Sequence, residues 1–431
     1  LPLVRALLAG ASLVVLACGG VTTRVTPGPD ASMDGAVASG DAGTPADGSP
    51  SLVPPDASVF FPDAGRPDAD HVFPDASDYC GPASALVGQG CGDPSSDPHN
   101  CGGCGHDCDG GMCDAGVCAP LPPGVVATGQ YAPTAIAVDS ENVYWLNSGV
   151  VVAGGGHLDP EVFGGSQVLQ CAIGGCGNRP TVLASISESA ASTKAQDPPS
   201  GLTIDDRAVY WTDGAGVHAC KKGGCACAPQ TLTGVSTATA VAVSPTDAYF
   251  ALYLPDAVDV CPLAGCAAGP SSFASDQIAP MAIISDTSSV YWSTIGGVRQ
   301  CPLGGCDGGA AHLWEDPGPQ TFTMGIAVDA DNVYWTNQNG SVYQCAKTNC
   351  ATTLVTLADG RNAPSGIASD GTDVYWSDSA GVVKCAVGGC GGVPTVVAPS
   401  ASPAVAVDAT HLAFTQLRAS ETDGWIVVVA K

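Results

Sequence analysis

The sequence predicts an all-β chain: a seven-bladed β-propeller of four-stranded blades, with an N-terminal strand closing the last blade, preceded by a disordered stalk and a small disulfide-rich module. Three observations predict it. A segment of the type Ile-Ala-Val-Asp-x-x-Asn-Val-Tyr-Trp-Thr recurs seven times, and its second aromatic position falls at Trp145, Trp211, Phe250, Trp292, Trp335, Trp376 and Phe414. The steps between these positions are 66, 39, 42, 43, 41 and 38 residues, and strand-rich repeats of about 40 residues are the mark of propeller blades. Six of the units also carry a cysteine pair bracketing four residues, as in CPLGGC from Cys301 to Cys306.

Each unit reads as four strands. In the fifth, the first strand is Ile326-Ala-Val-Asp329 and the turn is Ala330-Asp331-Asn332. The second strand carries Val-Tyr-Trp-Thr, and Asn339-Gly340 turns the chain into Ser341-Val-Tyr-Gln-Cys345. The fourth runs Thr353-Leu-Val-Thr-Leu357. Alternation with period two, bounded by turn dipeptides, is the hairpin signal. The cysteine pairs 171/176, 220/225, 261/266, 301/306, 345/350 and 385/390 join third to fourth strands. Residues flanking so short a loop face each other at about 4.5–5.5 Å between Cα atoms, which suits a disulfide. Six disulfides are therefore expected, at Cys171–Cys176, Cys220–Cys225, Cys261–Cys266, Cys301–Cys306, Cys345–Cys350 and Cys385–Cys390. The last unit ends Gly424-Trp-Ile-Val-Val-Val-Ala430 without a fourth strand, and Gly124-Val-Val-Ala-Thr-Gly129 has the right pattern to supply it. That pairing would close the ring and remove its open edge.

Only 13% of residues are charged, and the net charge of −27 argues against nucleic acid, which needs a basic footprint. It argues equally against electrostatic docking on an anionic membrane. Twenty-one cysteines do not suit a reducing compartment.

Residues 1–18 read as an export signal. Ala6 to Ala17 form an apolar run after Arg5, too short to span a bilayer but right for a signal core. Val15-Leu16-Ala17-Cys18-Gly19-Gly20 resembles a bacterial lipobox, which implies lipidation at Cys18, although Leu16 is bulkier than that motif's usual residue. Residues 19–79 form a low-complexity tether in which Pro-Asp-Ala recurs at Pro29, Pro55, Pro62, Pro67 and Pro74. Such a composition cannot bury enough apolar area to offset the entropy of ordering. Residues 80–120 hold a module with cysteines at 91, 101, 104, 108, 113 and 118. So small a piece must be stapled covalently. Disulfides fit an exported chain, and zinc is the rival reading, with Cys101-Gly-Gly-Cys104 beside His106. The partners of Cys80 and Cys227 stay open.

The run Asn100-Cys-Gly-Gly-Cys-Gly105 resembles the NCGGCG-type cysteine modules that precede repeat domains in bacterial surface lipoproteins. Tyr210-Trp-Thr-Asp213, Tyr334-Trp-Thr-Asn337 and Tyr375-Trp-Ser-Asp378 resemble YWTD propellers, and the Ile-Ala-Val-Asp strands resemble NHL propellers. The resemblance covers 124–431 and implies a propeller, with members that mostly bind proteins or glycans and a few that are enzymes. These are scaffold motifs, whose Tyr and Trp belong between blades.

No HExxH, Gly-x-Ser-x-Gly, phosphate-binding loop or dinucleotide fingerprint is present, and the seven His are scattered. No catalytic residue, metal site or cofactor is assigned. Asp205-Asp206 and Asp329/Asp331 read as turn formers. Strand parity puts two-to-three loops and blade-to-blade linkers on one face, and the Asp turns and cysteine hairpins on the other. The first blade is longer than its siblings at 146–170 and 186–200, on the linker face, and long loops on a rigid scaffold carry binding. Tyr131, Asp197, Gln277, Phe322, Arg361 and Asn362 are the candidate ligand-binding residues at the channel mouth. The expected function is a lipid-anchored binding or adhesion module for a protein or glycan, displayed on the cell surface or in the periplasm. The other readings are an exported hydrolase or lyase acting at the channel, and a structural envelope protein.

Overall fold

The computed structural model describes residues 95, 98, 101–103, 106–148, 150–153, 160–163, 166–186, 201–225, 228–306, 309–316, 321–399, 404–417 and 424–431. The readings made for Cys18, the stalk, Cys80, Cys91, Cys104, Asp197 and Cys227 lie outside these residues. Within them, residues 121–431 form seven four-stranded antiparallel sheets. Six sheets are sequential. The first is Pro133–Val138, Asn142–Asn147, Ser166–Ala172 and Thr181–Ile186, and the sixth is Ile367–Ser369, Asp373–Asp378, Gly381–Ala386 and Thr395–Ala398. The seventh combines Val405–Val407, His411–Leu417 and Gly424–Ala430 with the early strand Val125–Gln130, which pairs Val125 with Val427 and Ala127 with Ile426. The first strands of successive blades adjoin one another all the way round, so the ring is closed.

The recurring segment explains this packing. The second strand lies mid-sheet with a blade on either side, so both of its faces are buried, as in Ala208–Asp213. Alternation sends Tyr to one neighbour and Trp to the other. Thus Tyr334 shares a core cluster with Trp376 of the next blade, and Tyr291 with Trp335. Tyr249 packs with Trp292, and Tyr144 with Trp211. One such cluster fills each blade boundary. At the boundary between the seventh and first blades, Ala413 stands where the others have Tyr. The hydroxyl after Trp binds the first strand: Thr212 accepts from the Gly201 amide at 3.0 Å and Thr336 from Gly325 at 2.9 Å.

The Asp turns are Asx turns. Asp205 Oδ1 accepts from the amides of Arg207 and Ala208, both at 2.7 Å, while Tyr210 donates its hydroxyl to Oδ2 at 3.0 Å. The same arrangement recurs at Asp139, Asp286, Asp329 and Asp370. The scarce lysines complete it across blade boundaries. Lys222 reaches Asp139, Lys347 reaches Asp286 and Lys431 reaches Asp370, each at 2.6 Å.

All six hairpin cysteine pairs are disulfide-bonded, with Cα–Cα distances of 4.8–5.6 Å. The second cysteine is not a ladder partner of the first, as the flanking-position reading supposed. It sits inside a tight turn that starts with a bond such as Gly175 N to Ala172 O, 2.8 Å. Gly175, Gly265 and Gly305 take φ near +100° there, a conformation costly for residues with a Cβ. The fifth blade has Lys347-Thr-Asn349 in place of these glycines, and its turn winds into a helical turn, Cys350–Thr353. Its fourth strand is accordingly Val355–Ala358, not Thr353 to Leu357.

The interblade ion pairs predict acid sensitivity. Burial pushes the Asp370 carboxyl up, but the Asp373 and Thr372 amides and Lys431 outweigh it and hold the pKa near about 2. Asp286 is likewise lowered, where Lys347 and the Ser288 and Ser289 groups outweigh burial. A carboxylate depressed on folding contributes stability that is complete above its unfolded pKa of about 4 and is lost as pH falls through the folded value. Urea midpoints should therefore hold from pH 7 to 5 and fall steeply from pH 4 to 2. Lys347→Met should lower the neutral-pH stability by about 2 kcal/mol, the scale of a hydrogen bond to a charged group. A flat acid profile would show that these pairs contribute nothing.

Candidate functional site

The linker face is built by the two-to-three turns and the segments between blades. In the first and fourth blades the linker carries a Gln that meets the buried Trp of its own blade. Gln130 Oε1 accepts from Trp145 Nε1 at 2.9 Å and from Asn147 Nδ2 at 3.1 Å. Gln277 Oε1 accepts from Trp292 Nε1 at 3.0 Å. In the sixth blade, Trp376 donates instead to Asp378 Oδ2 at 3.2 Å, and Arg361 Nε donates to the same oxygen at 2.7 Å. Gln277 and Arg361 thus have firm partners within the scaffold. The signal for this cap was present in the chain: Gln stands fifteen residues before Trp at Gln130 and Gln277, Arg361 takes the equivalent place, and the same offset in the sequence gives Gln196 and Gln320, which lie outside the described residues.

Tyr131 and Phe322 are half-buried on this face and Asn362 is exposed. Tyr131 precedes Ala132, whose carbonyl accepts from Ser148 N at 3.1 Å. The Asn362 carbonyl accepts from Ser379 N at 3.0 Å. Five of the candidates fall within the described residues. They are spread over linkers of the first, fourth, fifth and sixth blades.

An apolar arc does run across the third to fifth blades. Leu254 in the Tyr253–Asp256 turn is 62% exposed and Ile278 in the next linker is 48% exposed. Backbone bonds join these loops: Gln277 N to Asp256 O at 2.8 Å, and Ile295 N to Ile278 O at 3.2 Å. Asp256 Oδ1 also accepts from Ala279 N at 2.9 Å. Ile295 then bridges to Phe322, whose carbonyl accepts from Gln338 N at 2.9 Å. Ile278 has φ +28°, a region that a β-branched residue occupies only under strain. A large apolar side chain is thereby held outward on a rigid loop. Leu254, Ile278 and Ile295 have no fixed spacing in the repeat, so periodicity does not reveal them.

The first blade adds a two-stranded hairpin to the same face, Val150–Ala153 paired with Pro160–Phe163. Sequence alone read that region as a loop.

At the two-to-three turn of the second blade, on this same face, lies a buried acid–base pair with a hydroxyl partner. Asp213 Oδ1 lies 3.0 Å from His218 Nε2, and His218 Nδ1 lies 3.1 Å from Thr231 Oγ1. Burial pushes the Asp213 carboxyl up, but His218 and the Ala215 amide outweigh it and lower its pKa. His218 faces Thr231 in the strand ladder and stacks on Trp211 at 5.6 Å, so both ring nitrogens are taken by the sheet. In the cysteine module, Cys101 is bonded to Cys113 and Cys108 to Cys118. The sulfurs of Cys101, Cys108 and Cys118 lie within 4.8 Å of one another, but as disulfides they are not thiolate ligands. Eight disulfides among the described residues suit an oxidising, extracellular or exported setting. No described helix is long and apolar enough to cross a membrane.

No protein-family model and no curated protein matches the chain. Solved structures do resemble it. A chain of the crystal structure of a nidogen/laminin complex aligns at 16% identity over 52% of this chain and 86% of its own, with a TM-score of 0.41. The computationally designed Ika8 protein aligns at 14% identity over 71% and 98%, with a TM-score of 0.47. The structure of U3-55K aligns at 12% identity over 71% and 98%, with a TM-score of 0.51. At that identity the likeness to U3-55K is one of fold.

Proposed function

We propose that this chain is a binding module that engages a protein partner through the linker face of its propeller. The observation that carries the reading is the apolar arc from Leu254 through Ile278 to Phe322. Exposed apolar side chains on a rigid, strained loop are what an interface anchor requires. The extra hairpin of the first blade lies on the same face and supports the reading. Lipid anchoring through Cys18, with the 19–79 stalk as spacer, belongs to the same proposal, as does display on the cell surface or in the periplasm. A glycan is the other ligand class, and it would favour Tyr131 and Phe322 as stacking platforms.

The test is capture from the envelope fraction of the producing cells with three variants. Ile278→Asp and deletion of 150–165 should each lower retention of the partner at least tenfold. Asp331→Ala, on the opposite face, should retain it. Equal retention by all three would remove the linker face as the binding site.

A further inference from the structure

We propose that the Cys108–Cys118 disulfide is a reducible site that clasps the seam of the propeller ring, and that its reductant is a dithiol. Three observations converge on it. Among the described disulfides this is the one in which neither residue is buried. Cys101 and Cys113 are both buried, and every hairpin disulfide has its first cysteine at 0–2% exposure. Access and thiolate attack decide which disulfides exchange, and exposed ones are the labile class. The bond also faces a shallow, open groove of about 410 Å³, lined by both cysteines, the Gly110–Gly111 turn and Ala119–Leu121. An incoming thiol has space there.

The third observation is what the module holds. Asn178, 4% exposed, follows the cysteine turn of the first blade. Its Oδ1 accepts from Thr128 N at 2.7 Å in the closing strand. Its Nδ2 donates to Gly111 O at 2.8 Å and to Thr128 Oγ1 at 2.9 Å. One amide therefore ties the module, the closing strand and the first blade together. Gly110 lies so close to Gly177 that a Cβ on it would sit 2.7 Å from the Gly177 carbonyl oxygen. Cys108 N donates to Pro98 O at 2.8 Å and its own carbonyl accepts from Gly111 N at 2.9 Å. Pro98 in turn lies against Gly129 of the closing strand. The Cys108 backbone thus links both contacts to the disulfide. This boundary is also the one where Ala413 replaces the interblade Tyr.

The exchange balances as a two-electron transfer. A thiolate of the dithiol attacks one sulfur, the Cys108–Cys118 bond breaks, and the displaced cysteine takes up a proton as a thiol. The second thiol of the reductant, as thiolate, then attacks the mixed disulfide. This frees the other cysteine as a thiol and leaves the reductant as a disulfide. With the bond open, the Gly110–Gly111 turn loses its anchor, and the closing strand loses the contacts that pass through Asn178.

The experiment uses the full chain, graded dithiothreitol, alkylation with mass spectrometry, and hydrogen exchange on the same samples. Cys108 and Cys118 should label at least tenfold faster than any hairpin cysteine. The amides of 125–130 should then exchange at least tenfold faster, while those of 332–337 stay unchanged. Asn178→Ala should reproduce the faster exchange at 125–130 with the disulfide intact. Labelling of the hairpin cysteines first or together with these two would overturn the proposal, as would an unchanged exchange rate at 125–130 after Cys108 and Cys118 are reduced.

Discussion

Full reduction of the six hairpin disulfides is expected to unfold the propeller. Each closes a loop of six residues, and in the chain-entropy model such a loop contributes about 2 kcal/mol. Six of them sum to roughly 13 kcal/mol, comparable to the 5–15 kcal/mol that separates most folded domains from the unfolded state. The bonds also act across blades. The sulfurs of Cys261 and Cys266 lie 3.5 and 3.4 Å from the Leu232 carbonyl oxygen in the fourth strand of the preceding blade. Those of Cys220 and Cys225 lie 3.7 and 3.3 Å from that of Leu183. Losing a disulfide therefore loosens a turn and the seat that turn occupies on its neighbour. Circular dichroism and Trp fluorescence at 37 °C, after complete reduction confirmed by thiol counting, should show loss of the β signal. Removing one pair, as in Cys301→Ser with Cys306→Ser, should cost about 2 kcal/mol and leave the ring folded. A cooperative, native-like transition after all six are reduced would show that the apolar clusters hold the blades without help.

The architecture was legible because it is repetitive. One blade's Tyr and the next blade's Trp or Phe meet at six of the seven boundaries, so the Val-Tyr-Trp-Thr strand recurs with the ring. The closing strand was legible because the seventh unit is one strand short. The fifth cysteine turn was misread because the pattern shows the bracketing cysteines and not the backbone between them. Without a glycine to take positive φ, Lys347-Thr-Asn349 leads into the helical turn Cys350–Thr353. Docking of the module was illegible for another reason. Asn178 looks like any turn residue, and its partners Thr128 and Gly111 lie 50 and 67 residues away. On the linker face, sequence parity located the first-blade insertion, though not its hairpin, and the linkers. It did not locate the arc, because Leu254 and Ile278 occur in single blades and their exposure depends on loop contacts. Asp256 supplies those contacts through its own backbone and carboxylate.

The second large effect concerns the buried tryptophans. Trp376→Ala is expected to destabilise the propeller by about 3–5 kcal/mol, the usual range for emptying a fully packed aromatic site. The replacement by Phe distinguishes two tryptophans that look alike in sequence. Trp376 Nε1 donates to Asp378 Oδ2, a carboxylate that also holds Arg361 and caps the Ala380 turn. Trp376→Phe removes a hydrogen bond to a charged, buried acceptor, a loss of about 2 kcal/mol besides the reduced packing. Trp335 Nε1 is fully buried with no hydrogen-bond partner among the described residues. Its ring is held by Trp314 at 5.3 Å and Tyr343 at 5.6 Å. A buried donor without an acceptor already costs about 1–3 kcal/mol in the native state, and Phe relieves that cost while keeping an aromatic ring in the stack. Trp335→Phe should therefore lower the urea midpoint clearly less than Trp376→Phe, although both rings are equally buried. Equal losses would mean that Trp335 donates to an acceptor after all, and the fifteen-residue offset names Gln320 as the first residue to test.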